Sequence, residues 1–360
     1  WLKLFSRLQF LAGPAVLVMQ TIVAEQAQRL REALATCSDV DLRSVVEKVA
    51  RDLEVLSAGA SAVVTADVHV PQLSSTACLL GHRGGVNGVV AVDAEHVVSG
   101  SEDRTLKVWN LASGKCIASL SGHSEAVTCV AALGAGKFIS GSEDKTLRIW
   151  LNGQCLATCQ GHTRPVRSVA SLGSDMAVSG ASDRRISVWD TESGENLATL
   201  SGHKDQIWCV AEVSEGRIIS GSNDRTLRVW DVATSSVAFS SSCVATLEGH
   251  AHCVCSVAVL GDRAASGSKD KTVRIWSLNS WDCVAKLEGH LTYVRCVMFV
   301  GSRLVSGSSD RTLRVWDLST SQCVGSMEGH TDSVACVAAL GNDVVASSSD
   351  DSTIRVWKVS

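Results

Sequence analysis

A Gly-His pair recurs seven times in this chain, and this repeat constrains the fold more strongly than any other feature of the sequence. Successive pairs are separated by 41, 39, 41, 47, 40 and 40 residues. A period of this length is typical of proteins in which each repeat forms one supersecondary unit that packs against its neighbours. The histidines of the seven pairs are His82, His123, His162, His203, His250, His290 and His330.

The segment after each pair has the same order of residues in every repeat. An apolar run comes first, followed by a turn of the Ser-Gly-Ser-x-Asp type and a strand that ends in Trp. These short β-branched runs, bounded by Gly, Ser, Asn and Asp, predict four strands per repeat, which is one blade of a β-propeller. The Ser, Asp and Trp of the seven repeats are Ser99, Asp103 and Trp109; Ser140, Asp144 and Trp150; Ser179, Asp183 and Trp189; Ser220, Asp224 and Trp230; Ser266, Asp270 and Trp276; Ser306, Asp310 and Trp316; and Ser347, Asp351 and Trp357.

The repeats resemble those of the WD-repeat family, and the resemblance covers about residues 72–360. Asp follows the repeat Trp in three repeats, at Asp190, Asp231 and Asp317, and this is the most variable part of the motif. The resemblance implies an all-β, seven-bladed β-propeller. It also implies that the His, Ser, Asp and Trp of each blade form a hydrogen-bonded structural tetrad, in which His joins Asp to Ser and Ser reaches the indole N–H. A buried carboxylate and a buried indole both need such partners.

The two ends of the repeat array are expected to meet in one blade. The chain stops shortly after Trp357, before a fourth strand of the seventh repeat, and residues 75–79 precede His82 just as residues 243–247 precede His250. The resemblance therefore implies that an N-terminal strand, residues 73–80, completes the last blade of a propeller domain at 72–360. Closing the ring removes open sheet edges, which would otherwise invite aggregation.

Two connections between strands carry specific turn predictions. Asn152-Gly153 lies between two strands of the second repeat and predicts a type I′ hairpin turn. The fourth repeat is longer than the others, and residues 233–242 are expected to form an extended hairpin loop on the bottom face.

Residues 1–71 do not follow the repeat. Apolar residues keep helical spacing within 23–34 and again within 42–56, and Ser38 with Asp41 offers a start for the second helix that resembles a capping box. This pattern predicts a short N-terminal helical segment, a helical hairpin followed by a linker. An appendage with little fixed structure is the alternative.

The net charge and the positions of the cysteines limit which partners and which cellular compartment are expected. The net charge of -4 provides no large basic field, so no nucleic-acid partner is expected. Most of the 14 cysteines fall at equivalent points of separate repeats, too far apart for disulfides, which favours a reducing compartment, the cytoplasm or nucleus. The apolar stretch at 8–23 is interrupted by polar residues and is weak as a membrane span, so no membrane association is expected.

Two sequence patterns resemble a catalytic site and a metal site, and both are better explained as structural parts of the repeat. Ser, His and Asp recur together, but a serine hydrolase needs one exposed nucleophile with an oxyanion hole, whereas seven identical copies indicate a scaffold that is not an enzyme. Cys253-Val254-Cys255 lies near His250 and His252 but lacks a second cysteine pair, so strand residues are a better interpretation than zinc ligands. No metal and no cofactor are expected.

The candidate partner site is sought where the repeats differ. The resemblance places three positions of each blade on the top face, which carries the Gly-His loops and the Asp-bearing turns: the third and fifth residues after the His, and the residue before the tetrad Asp. Trp, Tyr and Arg are enriched in interface hot spots, and blades three to six supply them here. The predicted partner-binding residues are Arg167, Trp208, Lys269, Tyr293, Arg295, Gln206 and Asn223.

These positions also predict how the site is divided. Arg167 with Trp208 is expected to form one subsite, and Lys269 with Tyr293 and Arg295 a second. The acidic residues of blades seven, one and two are expected on the opposite half, so that the face is polarised. They are Glu102, Glu143 and Asp350.

The function expected from these features is a protein–protein interaction scaffold that holds a peptide or a partner domain on the top face. The basic half favours an acidic or phosphorylated segment. The repeats, of the form Val-Ser-Gly-Ser-x-Asp-Arg-Thr-Leu-x-Val-Trp, are also similar to those of F-box WD-repeat proteins. That similarity implies the alternative, a ubiquitin-ligase substrate receptor that recognises acidic or phosphorylated degrons, although residues 1–70 show no F-box pattern.

Overall fold

The computed structural model describes residues 72–214, 216–235, 238–341 and 343–359, with the side chains of 233–241 left aside. These residues form β-strands and no helix. The strands are β1 Gln72–Leu73, β2 Ser75–Leu80, β3 Val86–Ala91, β4 His96–Ser101, β5 Thr105–Asn110, β6 Lys115–Ser121, β7 Val127–Gly134, β8 Lys137–Ser142, β9 Leu147–Leu151, β10 Gln154–Cys159, β11 Val166–Leu172, β12 Met176–Ala181, β13 Arg185–Asp190, β14 Asn196–Ser201, β15 Ile207–Ser214, β16 Arg217–Ser222, β17 Leu227–Ser235, β18 Ala238–Leu247, β19 Val254–Leu260, β20 Arg263–Ser268, β21 Val273–Ser277, β22 Cys283–Leu287, β23 Val294–Val300, β24 Arg303–Ser308, β25 Leu313–Asp317, β26 Gln322–Met327, β27 Val334–Gly341, β28 Val344–Ser349 and β29 Thr353–Lys358.

Within this described part, the strands assemble into seven sheets, which are the blades, and each blade is built from four antiparallel strands. Blade one is β3-β4-β5-β6, and blades two to six follow in the same way, each from four consecutive strands. The first strand of every blade contacts the first strand of the next, and β27 of blade seven contacts β3 of blade one. The first strands therefore line the centre of a closed ring. The predicted all-β, seven-bladed propeller is confirmed, whereas the predicted N-terminal helical segment lies outside the described residues.

Blade seven is completed by a strand from the start of the propeller. β2 pairs antiparallel with β29, with Leu79 opposite Ile354, so the sheet order is β2-β29-β28-β27. The strand expected at 73–80 is divided at Ser74. β1 runs parallel to β26 of blade six, with Leu73 opposite Met327, and gives that blade a fifth strand. The segment thus ties blade six to blade seven in addition to closing the ring.

The hydrophobic core lies between the blades. Seven clusters of buried side chains are found in the described residues, and each combines the repeat Trp of one blade with apolar residues of the blade before it. Trp189 of blade three, for example, packs with Ile139 and Leu147 of blade two. Because an aromatic side chain of this size buries roughly 150–250 Å², each Trp stabilises one blade-to-blade interface by several kcal/mol, at about 25 cal/mol per Å².

The structure agrees with the predicted turn at Asn152-Gly153 but not with the predicted loop of the fourth repeat. Asn152 and Gly153 both have positive φ, at 49° and 80°, as a type I′ turn between β9 and β10 requires. Within the segment 233–242, expected to be a loop, residues 233–235 and 238–242 instead extend the ladder of β17 and β18, with backbone pairing continued as far as Ser235 and Ala238. The longer repeat is therefore accommodated by longer strands.

Two further observations concern the described residues. Thirteen cysteines are free, among them four exposed on strands. No helix of this part of the chain is long and apolar enough to cross a membrane.

The closure predicts how the chain responds to truncation. A chain that starts at residue 81 lacks β2, so it should leave the edge of β29 unpaired, melt at a lower temperature and aggregate. A chain that starts at residue 66 keeps β1 and β2 and serves as the control. A third, starting at residue 75, loses only β1 and should remain monodisperse. Thermal melting and size-exclusion chromatography check this, and equal behaviour of the chains starting at 66 and 81 would contradict the closure.

Candidate functional site

The four marked residues of each blade form one hydrogen-bonded chain. In blade four, His203 Nδ1 lies 2.8 Å from Asp224 Oδ2, and His203 Nε2 lies 2.8 Å from Ser220 Oγ. Trp230 Nε1–H donates to the same Ser220 Oγ at 2.8 Å. The Ser220 hydroxyl therefore accepts from the Trp230 indole and also lies within hydrogen-bonding distance of His203, so it joins the indole to the imidazole.

The same chain of contacts is present in all seven blades. The His–Asp, His–Ser and Trp–Ser distances stay within 2.7–2.9 Å throughout. All seven Ser side chains are fully buried and all seven His side chains are buried. A buried Ser that is bonded on both sides cannot present a nucleophile to a substrate, so the geometry is that of a structural tetrad.

The tetrad Asp has further partners that the sequence prediction missed. In blade four the Thr226 hydroxyl donates to Asp224 Oδ1 at 2.7 Å, and the backbone N–H of Lys204 donates to Oδ2 at 2.9 Å. Six blades have a Thr two residues after the Asp, whereas blade three has Arg185 and only its backbone N–H donates. The recurring Asp-x-Thr was a usable signal for this contact.

These hydrogen bonds keep the tetrad carboxylates ionised. Burial alone would raise the pKa of Asp103, but bonds from the Thr105 hydroxyl, the Arg83 backbone and His82 outweigh it and lower the pKa to about 2. Burial also lowers the pKa of His82 below its ordinary value, against the opposing effect of Asp103. The pair therefore consists of a carboxylate and a neutral imidazole at neutral pH.

A β-bulge in the first strand of every blade builds the second feature of the top face. The pairing register shifts around one extra residue, always the fifth after the tetrad His. A bulge turns the extra side chain away from the regular alternation of the strand. All seven bulged residues line one cavity at the axis of the ring: Asn87, Thr128, Arg167, Trp208, Cys255, Arg295 and Ala335.

The cavity has a volume of about 570 Å³. All of its lining residues occupy the three top-face positions defined from the repeat. Besides the bulged residues, they are Ala126 and Tyr293, the third after the His, and Glu102, Glu143, Lys269 and Ser309, each before the tetrad Asp. The structure thus brings together five of the seven predicted partner-binding residues. Gln206 and Asn223 do not line the cavity, and the Asn223 amide instead donates to Asp205 at 2.5 Å.

The basic and aromatic residues form one continuous row. The Arg167 guanidinium lies 5.3 Å from the Trp208 ring centroid, and the Lys269 ammonium lies 5.0 Å from the same ring. Lys269 is also 5.9 Å from the Tyr293 ring. All three distances fall within the range of cation–π attraction. The prediction of two separate subsites is therefore wrong, since Lys269 bridges the aromatic residues that were assigned to different ones.

The acidic and basic residues of the cavity meet where the two predicted halves adjoin. Arg167 of blade three pairs with Glu143 of blade two at 3.0 Å, and Arg295 of blade six pairs with Asp350 of blade seven at 2.5 Å. The acidic residues adjoin the basic row at both ends, because neighbouring blades bring them within reach. Among the described residues, the Lys269 ammonium has no carboxylate partner and the Glu102 carboxylate has no cationic partner.

The remaining polar chemistry of the described residues is sparse. The Trp208 indole N–H is buried and has no hydrogen-bond acceptor there. No group of three or more His, Cys, Asp or Glu side chains in this part of the chain could hold a metal ion, including the region of Cys253 and Cys255.

Comparison with known proteins supports the repeat interpretation. The family model described as WD domain, G-beta repeat, matches well over half of the chain, in seven segments. These are residues 73–110, 114–150, 153–190, 194–231, 241–277, 281–317 and 321–358. A search of curated proteins gave no match.

The tetrad predicts a specific cost for removing one carboxylate. Asp224→Ala leaves His203, Thr226 and the Lys204 backbone without their acceptor, so the free energy of unfolding should fall by roughly 1–3 kcal/mol. Reversible denaturant unfolding measures the difference. Asp282→Ala, at an exposed position, is the control and should change the free energy little. An Asp224→Ala chain as stable as the parent would show that the tetrad does not hold the blade.

The low pKa of Asp103 predicts that the stabilisation provided by its carboxylate is lost in acid. The unfolded carboxyl takes up a proton near pH 4, whereas the folded one stays ionised down to about pH 2. The stabilisation is therefore complete above about pH 4 and is lost as the pH falls through about 2. The stability gap between the parent chain and Asp103→Asn should narrow across this interval. Unfolding measured at several pH values checks it, and a constant gap would contradict the assignment.

Proposed function

Because the chain belongs to the WD40 repeat family, whose propellers generally bind other proteins and are typically not catalytic, we propose that it is an interaction scaffold whose top-face cavity holds an extended acidic segment of a partner protein. The single observation that carries this proposal is the position of the Lys269 side chain. Its ammonium lies in the cavity between two aromatic rings and has no carboxylate partner among the described residues.

The balance of charge in the cavity favours Lys269 over the two arginines as the anchor. Arg167 and Arg295 are already paired with carboxylates, and an incoming anion would have to displace those partners. Lys269 needs no such exchange. Cation–π contacts with Trp208 and Tyr293 hold its ammonium in place at about 0.5–2 kcal/mol, so less side-chain freedom is lost when an anion binds.

Apolar surface beside Lys269 suggests what accompanies the acidic group. Tyr293 is 47% exposed, and Leu291, two residues earlier in the same loop, is 73% exposed. The His252 ring lies 6.5 Å from the Tyr293 ring and extends this surface towards blade five. A large exposed Leu next to an exposed Tyr marks a contact surface more often than an isolated apolar residue does. The proposed segment therefore has an acidic residue adjacent to an apolar one.

The size of the cavity supports a segment rather than a whole folded domain. At about 570 Å³ it falls in the range of roughly 300–1,000 Å³ that is typical of sites for small groups. Such a space admits one or two side chains of an extended chain. Glu102, across the cavity from the basic row and without a partner among the described residues, would repel a second acidic group and so orient the segment.

A ubiquitin-ligase substrate receptor would use the same chemistry, since a phosphorylated degron also presents an anion to Lys269. That role further requires an adaptor-binding element, and its test is co-purification of the full chain with a ligase adaptor. Absence of binding with properly folded protein would leave the scaffold role alone.

The proposal predicts the effect of reversing one charge. Lys269→Glu should weaken the binding of acidic peptides at least about 10-fold, in line with the 2 kcal/mol or more lost at interface hot spots. Lys271→Glu is the matched control, because it makes the same change two residues away, outside the cavity. Binding is measured by fluorescence anisotropy, with peptides first selected from a displayed library of random extended segments, with and without phosphoserine.

The composition of the selected peptides is a second, independent readout. Peptides that bind the parent chain should be enriched in an acidic or phosphorylated residue next to an apolar one. Selection of basic peptides, or equal binding by the Lys269→Glu and Lys271→Glu chains, would overturn the proposal. Thermal melting of both variants shows that a loss of binding is not a loss of folding.

A further inference from the structure

The outer strand of each blade, which pairs with the strand that carries the repeat Trp, is interrupted by a β-bulge at the same place. In blade one the pairing of β5 with β6 skips Ile117, and in blade two the pairing of β9 with β10 skips Leu156. A bulge breaks the regular row of N–H and C=O groups and so protects an edge against pairing with another chain. In six of the seven blades, the outer strand keeps at most four regular residues on either side of its bulge.

Blade four departs from this pattern. The bulge of its outer strand, β18, lies at Val244, so residues 238–243 form a regular stretch of six residues ahead of it. This stretch pairs with β17 on one side, and β18 is the last strand of its sheet. It is therefore the longest regular row of backbone donors and acceptors that any outer strand presents in the described part of the chain.

Part of this stretch extends past the rest of the blade. The strand β16 pairs with β17 only as far as Asp231, whereas β17 and β18 continue their ladder as far as Ser235 opposite Ala238. Beyond Asp231 the sheet is thus a two-stranded ribbon. A two-stranded hairpin is only marginally stable in water, and a third strand would stabilise it.

The sequence of this ribbon lacks the usual protection against pairing. Residues 232–247 contain no charged residue, no Pro and no Gly. Exposed edge strands in natural proteins are commonly blocked by Lys, by Pro or by a bulge. An uncharged strand can also pair with an identical strand, because no like charges are brought opposite each other. A second copy of this chain therefore fits the edge.

Blade six shows that an outer edge of this propeller accepts a further strand. There β1 pairs with Ser326 and Met327, which follow the bulge at Val324. Leu73 of β1 packs against the hydrophobic core of that region. A regular stretch of three residues supports this pairing, so the six residues of β18 offer a longer edge for the addition of a strand.

We propose that the chain forms a symmetric dimer in which residues 238–243 of β18 pair with the same residues of a second copy. A twofold axis makes the two identical strands antiparallel, and each copy covers the edge of the other. The two four-stranded sheets of blade four then become one continuous sheet. Because β18 is the outermost strand of its blade, the two rings lie side by side and neither has to open.

The dimer is independent of the proposed scaffold function. The residues of β18 do not line the top-face cavity, so the cavity of each copy stays open. A failure of dimerisation and a failure of peptide binding are therefore separate results.

Sedimentation velocity of the full chain over a range of concentrations tests the dimer. The parent chain is expected to shift reversibly from monomer to dimer as its concentration rises towards about 100 μM, where a pairing of micromolar affinity is largely formed. A parent chain that stays monomeric over this range would overturn the proposal and leave the edge to a strand of another protein.

A pair of lysines at the centre of the stretch tests which edge is used. An antiparallel pair about a twofold axis places one residue opposite its own copy, and the centre of 238–243 is Ser240 or Ser241. Ser240→Lys combined with Ser241→Lys thus brings like charges opposite each other in either register, and dimerisation should weaken at least about 10-fold.

The matched control adds the same charge to the outer strand of blade three. Thr199→Lys combined with Ser201→Lys changes two exposed residues of β14, whose regular stretch is short. This chain should dimerise like the parent. Equal dimerisation by the two double variants would show that β18 is not the interface.

A shorter hairpin provides a further variant. Blade two makes the corresponding connection with the two-residue turn Asn152-Gly153. Replacing residues 232–241 by Asn-Gly gives blade four the same connection, because Asp231 and Ser242 lie opposite each other as the residues flanking that turn do. The shortened chain should remain monomeric where the parent is dimeric. A folded, shortened chain that dimerises as tightly as the parent would contradict the proposal.

Amide hydrogen exchange locates the interface in the parent chain. The amides of residues 238–243 should exchange more slowly at high concentration than at low concentration, because the second copy covers them. Peptides from the other outer strands should exchange at the same rate at both concentrations. A dimer that leaves the exchange of 238–243 unchanged would disprove the proposal. Thermal melting accompanies each variant, and the two lysines still test the edge if the shortened chain does not fold.

Discussion

The hydrogen bond from each repeat Trp to its Ser is the contact on which the rest of the propeller depends. It ends a buried polar chain that begins at the Asp of the top-face turn and passes through His and Ser, so it holds the turn, the Gly-His loop and the third strand of a blade in one arrangement. The same Trp packs against the preceding blade. A buried polar network that is fully satisfied specifies a unique arrangement of the groups around it. In each repeat, the Trp side chain thus takes part both in the hydrogen bonds within its own blade and in the apolar packing against the preceding blade.

The β-bulge explains how blades with the same internal contacts can present different side chains to the cavity. The residues on either side of the bulge, such as Val254 and Ser256, remain in the ladder and between the blades. The extra residue is released from the ladder and lines the cavity, although Asn87 and Thr128 also donate to backbone carbonyls of the next blade. Its identity can differ from blade to blade because it does not pair in the ladder. Seven bulges around a closed ring place Asn, Thr, Arg, Trp, Cys, Arg and Ala around one opening.

The chemistry of that opening depends on which charges find partners. Counting side chains alone suggests an acidic side and a basic side, yet both arginines of the row are matched by carboxylates of adjacent blades. The charge that remains available at the basic row is a lysine whose ammonium lies between two aromatic rings.

The sequence by itself determined the number of blades, the members of every tetrad and the set of repeat positions from which the cavity lining is drawn, because each recurs at a nearly constant distance from its Gly-His pair. It also identified the Asn152-Gly153 turn, whose conformation is set by neighbouring residues. Only the tertiary structure decided the pairing of Arg295 with Asp350, 55 residues away, and the position of Leu73 on blade six rather than blade seven. It likewise decided that Lys269 joins Trp208 to Tyr293. These contacts occur once, between different blades, and depend on the closed ring and on side-chain rotamers, so no period in the sequence encodes them.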